Sequence, residues 1–278
     1  MQVLTVNYTE NNAAERFCES LKNTGFAVLT HHPISPAIID RAYTEWQAFF
    51  ATDEKFQYRY QKPTQDGYFP FRTENAKDSK VSDLKEFYHF YPWGKMPPAL
   101  MNETRAVYDN LYNLSTELLQ WVENYLPQDV AQRLSMPLNK MIDNQKNTLL
   151  RILHYPKLSD DHEAGAQRSA PHEDINFITL LPTATAPGLE VKDVNGNWHA
   201  VACDPGSIVV NVGDMLQLCT EQYYKSTTHR VTNPQSAEGN IPRYSMPFFL
   251  HGRDEVMLSP TQNYAECLNQ RLREIGIY

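Results

Sequence analysis

From about Thr148 onward the chain breaks into short runs of β-forming residues bounded by turn residues, and no other pattern constrains its fold as strongly. The runs fall at 148–155, 175–181, 188–192, 197–202, 207–212, 214–219, 227–232 and 243–250. Asn195-Gly196 lies between two of them as a hairpin turn signal, and Pro205-Gly206 marks another turn. Short strands at this spacing predict a sandwich or jelly roll rather than a parallel sheet.

The preceding half reads differently. Ala14, Phe17 and Leu21 share a helical face within 13–23, with Gly25 as the breaker, and Phe26-Ala27-Val28-Leu29 follows as a short apolar strand. Ser35-Pro36 predicts an N-cap and first turn for a helix burying Ile39, Tyr43, Trp46 and Phe50. Residues 51–100 are interrupted by prolines and glycines and read as mixed structure. A long helix over about 102–125 carries the stripe Val107, Leu111, Leu114, Leu118 and Trp121, and a last helix spans roughly 263–276. The expectation is a mostly β protein with flanking helices, one domain over 1–278. Its parts are a mainly helical region (1–147), a jelly-roll core carrying the site (148–260) and a C-terminal helix (261–278).

The net charge of −8 argues against nucleic acid as a partner, because phosphate binding needs a basic face. No apolar run reaches the length of a membrane span, and the N-terminus has no signal-peptide pattern. Cys18, Cys203, Cys219 and Cys267 form no C-x-x-C pair, so free thiols in a cytoplasmic protein are expected.

Within the β region, Pro171-His172-Glu173-Asp174 opens a run in which residues two apart point the same way, so His172 and Asp174 can share an ion while Glu173 points off. His229, in Thr227-Thr228-His229-Arg230-Val231, supplies a second imidazole. Two imidazoles and a carboxylate on one face of a metal leave other positions open, which suits iron(II) and oxygen chemistry. A lone His-x-Asp is common in proteins without a metal, so the triad needs support. Arg243-Tyr244-Ser245 provides it: a guanidinium and a hydroxyl on one side of a strand form a clamp for a carboxylate. Tyr155, ending the run Leu150-Arg151-Ile152-Leu153-His154-Tyr155, is a third candidate donor to the same carboxylate. Gly213-Asp214 reads as a β-turn placing the next strand, Lys85-Glu86 as a structural pair, and Asn211 as either a site residue or a backbone partner. The aromatics Tyr68, Phe69, Phe71, Phe87, Tyr88 and Phe90 divide between core and pocket wall in a way the sequence does not sort.

The stretch from His172 to Leu250 resembles the isopenicillin N synthase-like branch of the iron(II)/2-oxoglutarate oxygenases. The resemblance rests on His172-Glu173-Asp174-Ile175-Asn176-Phe177-Ile178-Thr179-Leu180-Leu181, on Gly188-Leu189-Glu190-Val191 and on Val209-Val210-Asn211-Val212-Gly213-Asp214-Met215-Leu216-Gln217. It continues with Ser226-Thr227-Thr228-His229-Arg230-Val231 and Arg243-Tyr244-Ser245, and reaches forward to Gly25-Phe26, Gly67-Tyr68-Phe69-Pro70 and Asp83-Leu84-Lys85-Glu86-Phe87. Two positions depart from the family pattern: Glu173 stands where threonine is usual, and His32 where glycine is usual.

The resemblance implies a double-stranded β-helix in which His172, Asp174 and His229 hold iron(II). It implies that Arg243 and Ser245, helped by Tyr155, hold the far carboxylate of 2-oxoglutarate. Oxygen is then the oxidant, ascorbate a candidate reductant, and the reaction hydroxylation or desaturation of a small molecule with release of succinate and CO2. Two rivals stay open at this point: an iron(II) oxidase of the same branch that uses no 2-oxoglutarate, and a metal-binding β-barrel without catalysis. A zinc hydrolase fits less well, since no general base accompanies the ligands at metalloprotease spacing.

Overall fold

The computed structural model of the chain describes residues 1–74, 81–144, 146–159, 163–202 and 204–274. The first part comprises β1 (Thr5–Asn7), α1 (Ala13–Thr24), β2 (Phe26–Thr30), α2 (Pro36–Phe50), β3 (Gly67–Phe69), β4 (Glu86–Phe90) and α3 (Met101–Asn124). Two single-turn helices, α4 (Gln128–Ala131) and α5 (Leu138–Met141), lead into β5 (Leu149–Tyr155), β6 (Ser169–His172), β7 (Ile178–Pro182), β8 (Leu189–Lys192), β9 (Trp198–Ala200) and β10 (Ile208–Val212). Then come α6 (Asp214–Cys219), β11 (His229–Val231), β12 (Arg243–Ser245), β13 (Phe248–Leu250), β14 (Met257–Ser259), β15 (Gln262–Asn263) and α7 (Tyr264–Glu274).

Two sheets face each other as the jelly roll requires. The larger has the order β1-β2-β10-β7-β13-β5-β4-β3, with β12 also paired to β5; the smaller has the order β6-β11-β8-β9. Within the larger sheet the two faces separate by residue parity, as the period of two along a strand demands. Even-numbered Leu150, Ile152, Leu180, Val210, Phe248 and Leu250 pack into the main core with Phe17, Leu21, Trp46 and Leu118 of the helices. Odd-numbered Val209, with Phe26 and Val28 of β2, meets Leu189 and Val191 of the smaller sheet, while Phe69, Phe87, Leu153 and Tyr155 meet Val231. The space between the sheets therefore receives the odd-numbered side chains of β4, β5, β7, β10 and β13.

The helices form where periodicity places them. Helix α1 ends at Gly25, whose φ of +74° is left-handed and whose N–H donates to the Leu21 carbonyl at 2.8 Å. A side chain there would also meet Thr227 Oγ1 at 2.3 Å, so glycine is required on two counts. Ser35 takes the N-cap position of α2 in extended backbone, with Pro36 following, but makes no side-chain capping bond. Trp46 of α2 donates from Nε1 to Thr104 Oγ1 of α3 at 2.9 Å, satisfying two buried polar groups while joining the helices. No described helix is long and apolar enough to cross a membrane.

Several expectations need correction. Residues 214–219 are helix α6, not a strand: Asp-Met-Leu-Gln-Leu-Cys contains no β-branched residue, and Met215, Leu216 and Cys219 share one buried helical face. Gly213 is accordingly its N-cap rather than part of a β-turn. The run 243–250 is two strands separated at Met246-Pro247: β12 pairs only with β5, and β13 lies between β5 and β7. Strands β1, β3 and β4 extend the larger sheet into regions read as loop or mixed structure. Cys18, Cys219 and Cys267 are free and buried; Cys203 and residues 275–278, including the expected end of the last helix, lie outside the described residues.

Candidate metal centre and its cavity

His172 and His229 face each other across adjacent strands, paired in register between β6 and β11. His172 closes β6 instead of opening a longer run, and Asp174 lies just beyond it, yet the three side chains converge. His172 Nε2 is 3.9 Å and His229 Nε2 3.8 Å from Asp174 Oδ1, and the candidate ligand atoms all lie within 4.8 Å of one another.

Each imidazole is turned by the main chain. His172 Nδ1 lies 2.8 Å from the Ala170 carbonyl and His229 Nδ1 3.1 Å from the Thr227 carbonyl. A carbonyl only accepts, so both Nδ1 atoms carry the proton and both Nε2 lone pairs are left for a metal. The carboxylate is oriented too. Asp174 Oδ2 accepts from Thr179 Oγ1 at 2.5 Å and from Asn211 Nδ2 at 2.8 Å, leaving Oδ1 toward the histidines. Thr179 and Asn211 are themselves register partners on β7 and β10. The ligands thus come from the smaller sheet and its following loop, and the support for the carboxylate from the larger.

The electrostatics agree with a neutral His172 beside an ionised Asp174. Burial, reinforced by His229, lowers the His172 pKa to about 4. Burial works to raise that of Asp174, but His229, His172 and the two hydrogen bonds outweigh it and hold the carboxyl below its ordinary value. Two imidazoles and one carboxylate oxygen, with no fourth protein ligand among the described residues, fit iron(II) with open positions.

Gly213 follows from the same construction. A side chain there would meet Asn176 Oδ1 at 2.2 Å and the Asn176 carbonyl oxygen at 2.3 Å, and the Asp214 N–H donates to the Asp174 carbonyl at 2.8 Å. The close approach of α6 to the loop carrying Asp174 is what demands glycine.

Behind the triad, Arg243 is opposite Tyr155 and Ser245 opposite Leu153 in the β12–β5 register. Arg243 donates to Ser245 Oγ at 3.2 Å and to the Ala186 carbonyl at 2.9 Å, with its guanidinium 5.1 Å from the centre of the Tyr155 ring. The structure therefore brings the three expected clamp residues together. It adds one that the sequence reading missed. Arg168, 1% exposed, donates to the Ile241 carbonyl at 2.5 Å, and its Nε has no partner. Burial, then the charge of Arg243, lowers its pKa. Among the described residues neither guanidinium has a carboxylate partner. The overlooked signal was parity: Arg168, Ala170 and His172 alternate along one side of an extended segment.

In front of the triad opens a cavity of about 830 Å³, lined by Lys85, Arg151, His172, Asp174, Phe249 and Arg271 among others. Helix α7 walls it, with Arg271 bridged to Asp214 at 3.1 Å. The unsorted aromatics separate cleanly: Tyr68, Phe69, Phe87, Tyr88 and Phe90 are buried, Phe71 is exposed, and the cavity is lined instead by Tyr91, Trp93 and Phe249. Glu173 reaches the rim, where it accepts a hydrogen bond from Thr228. His32 is buried and does not line the cavity. Asn211 is resolved as a support for Asp174, and Lys85 and Glu86 point into different ion pairs, Lys85 with Asp83 and Glu74, Glu86 with Lys55.

Comparison with known proteins bears on this geometry. Residues 146–252 match the model of the 2OG-Fe(II) oxygenase superfamily, and residues 4–111 that of the N-terminal region named for a non-haem dioxygenase in morphine synthesis. A 2-oxoglutarate-dependent dioxygenase of Monascus ruber is 30% identical over 86% of this chain and 78% of its own. A protein of Shewanella oneidensis, solved as a candidate oxygenase, superposes with a TM-score of 0.90 at 45% identity over 100% of both chains. A Neurospora crassa protein solved in complex with alpha-KG and thymine shares the fold, with a TM-score of 0.81 at 22% identity over 98% of this chain and 96% of that one. The chain belongs to the 2OG-Fe(II) oxygenase superfamily and is an iron(II)- and 2-oxoglutarate-dependent dioxygenase.

Proposed function

We propose that His172, Asp174 and His229 hold the iron(II), that Arg243, Ser245 and Tyr155 hold the far carboxylate of 2-oxoglutarate with Arg168 beside them, and that the enzyme oxidises a small molecule seated in the 830 Å³ cavity. The observation that carries this reading is the buried pair Arg168 and Arg243, two guanidiniums with no carboxylate partner among the described residues, between the same sheets as the triad. Buried charge is costly unless paired, so such a cluster is complementary to an incoming anion.

Bound iron(II) and 2-oxoglutarate supply the oxidising chemistry at a substrate C–H bond, with succinate and CO2 as co-products. The chain's own part is positional. The Ala170 and Thr227 carbonyls fix the imidazole tautomers, Thr179 and Asn211 fix the carboxylate, and the odd-numbered face of the larger sheet walls the cavity from bulk water. Hydroxylation is the default outcome and desaturation an alternative from the same site. The Neurospora crassa protein is described with thymine, and a small-molecule substrate is the reading for this chain too. We further take residues 1–278 as one domain acting in a reducing, cytoplasmic compartment, in keeping with the buried free thiols of Cys18, Cys219 and Cys267.

The test is an anaerobic titration of the iron(II)-loaded protein with 2-oxoglutarate, followed by succinate measurement after oxygen is admitted, with and without ascorbate. A saturable absorption change and oxygen-dependent succinate are expected. An oxidase that ignores 2-oxoglutarate would give neither, and a non-catalytic metal protein would give no succinate.

A further inference from the structure

The cavity holds a second charged cluster that the cofactor does not explain. Lys85 Nζ lies 2.7 Å from Glu74 Oε2 and 2.8 Å from Asp83 Oδ2, and Arg151 donates from NH1 to Glu74 Oε2 at 3.1 Å. Arg151 Nε donates to His89 Nε2 at 2.8 Å, while His89 Nδ1 lies 2.9 Å from the Gln65 carbonyl. The carbonyl requires Nδ1 to carry the proton, so Nε2 is a plain acceptor and His89 is neutral. Asp83 Oδ1 is taken by the Ala170 N–H at 3.0 Å. Among the described residues two cations and two carboxylates remain, and their charges balance.

Two groups in it are left with capacity, and they are bonded to each other. The Arg151 guanidinium lies 4.7 Å from the centre of the Phe87 ring and 5.4 Å from that of Phe249, so aromatic rings flank it. Its Nε and NH1 are used, and its NH2 has no partner among the described residues. Glu74 receives both cations on Oε2, and its Oε1 has no partner among them. Both residues line the same cavity as His172 and Asp174. The wall therefore offers a fixed N–H donor beside a fixed carboxylate acceptor, held by packing and ion pairs before any substrate arrives.

We propose that Arg151 and Glu74 are the recognition pair for the prime substrate, and that the substrate has no net charge and carries an oxygen acceptor adjacent to an N–H donor. An α-amino acid offers these as carboxylate and ammonium; a cyclic amide offers them as carbonyl and ring N–H. The oxygen lies on Arg151 NH2 and the nitrogen on Glu74 Oε1. A simple monocarboxylate would leave Glu74 facing an anion, and a simple amine would face Arg151, so each is disfavoured by like charge. The assignment rests on the cofactor reading above.

The experiment uses the full chain, anaerobic, loaded with iron(II) and 2-oxoglutarate, with binding followed by calorimetry and by the absorption band of the loaded site. One arm holds L-amino acids, a second uracil, thymine and 2-pyrrolidinone, and a third benzoate and benzylamine, which each lack half of the pair. Binding in the first or second arm, with the third silent, is expected, and which arm responds names the source. Arg151→Gln and Glu74→Gln should each weaken that binding about tenfold or more, the cost of a polar group left unpaired once the substrate covers it, with 2-oxoglutarate affinity kept. Arg151→Lys should recover less than half of the loss, because a lysine does not present the same edge.

Tightest binding in the third arm, binding indifferent to both variants, or silence in the first two arms while 2-oxoglutarate still binds would overturn the assignment. Failure of 2-oxoglutarate to bind the wild-type protein overturns the cofactor reading first, and this one with it. A variant that no longer binds 2-oxoglutarate is replaced by Glu74→Asp, which keeps the charge and shortens the reach; unaltered probe binding there counts against the proposal.

Discussion

Two clusters of charged side chains lie between the sheets, and they are built on opposite principles. At the back, Arg168 and Arg243 are buried with backbone carbonyls and a serine hydroxyl for company, and no acid among the described residues balances them. At the front, Lys85 and Arg151 are matched by Glu74 and Asp83. An uncompensated cluster is complementary to an anion that must be supplied from outside, whereas a balanced one selects by the direction of its donors and acceptors. The first suits a co-substrate that is always a dicarboxylate, the second a substrate chosen by shape and hydrogen bonding.

The contrast can be broken most directly at the proposed metal ligands. Asp174→Ala or His229→Ala should leave no retained iron by metal analysis and succinate release at background, whatever happens to either cluster. Next in size, Arg243→Gln should raise the 2-oxoglutarate dissociation constant by about 30-fold or more, corresponding to about 2–5 kcal/mol for a buried charge-assisted contact. A 2-oxo acid lacking the distal carboxylate should bind the variant and the wild type alike; a deficit for it as well would show that Arg243 acts elsewhere. Asn211→Ala, which leaves Asp174 Oδ2 with Thr179 as its one described donor, should weaken iron(II) affinity about 10- to 100-fold in a chelator competition.

Stability of the ligand-free protein sharpens the comparison further. Lys85→Met strands the buried Asp83 carboxylate and leaves Glu74 with Arg151 alone, and should cost about 3 kcal/mol in denaturant titration, whereas Arg168→Met removes an unbalanced cation and should be neutral or stabilising. Equal losses from both would show that the clusters do not differ as described. The smallest effect concerns pH. Burial, with Arg151 next to it, depresses the His89 pKa far below 6.5, so below about pH 6.5 the unfolded chain takes up a proton that the folded chain refuses. His89 therefore contributes stability above that pH that is lost as the pH falls. Glu74, held well under the usual carboxylate range, stays ionised through the same interval. The melting temperature should drop between pH 7 and pH 5, and less so in His89→Gln.

Much of this was legible because strand parity is strict. His172 with Asp174, and Arg243 with Ser245, were paired in the sequence by their spacing of two, and the fold brings the members of each pair together, with His229 joining the first from a separate strand. The same rule, applied to Arg168, would have found the second guanidinium, and applied to Asn211 and Thr179 the supports of the carboxylate. What escaped did so for other reasons. Met215-Leu216-Gln217-Leu218 is apolar at either period, and only the absence of β-branched residues marks it as a helix. Strands β3 and β4 are short and set among prolines and glycines, so their aromatic content was read as indefinite. Glu74 meets Lys85 and Arg151 only through tertiary structure, and no local pattern announces partners so far apart in the chain.

The imidazoles of His172 and His229 take their orientation from main-chain carbonyls at 170 and 227. Those carbonyls belong to any sequence that keeps the backbone path, and no substitution deletes them. Glu173 and Thr228, which join each other at the rim beside the two histidines, hold neither ring in place. Drift at these rim positions can reshape the entrance without loosening the metal, so the same scaffold can be passed from one substrate to another over evolutionary time.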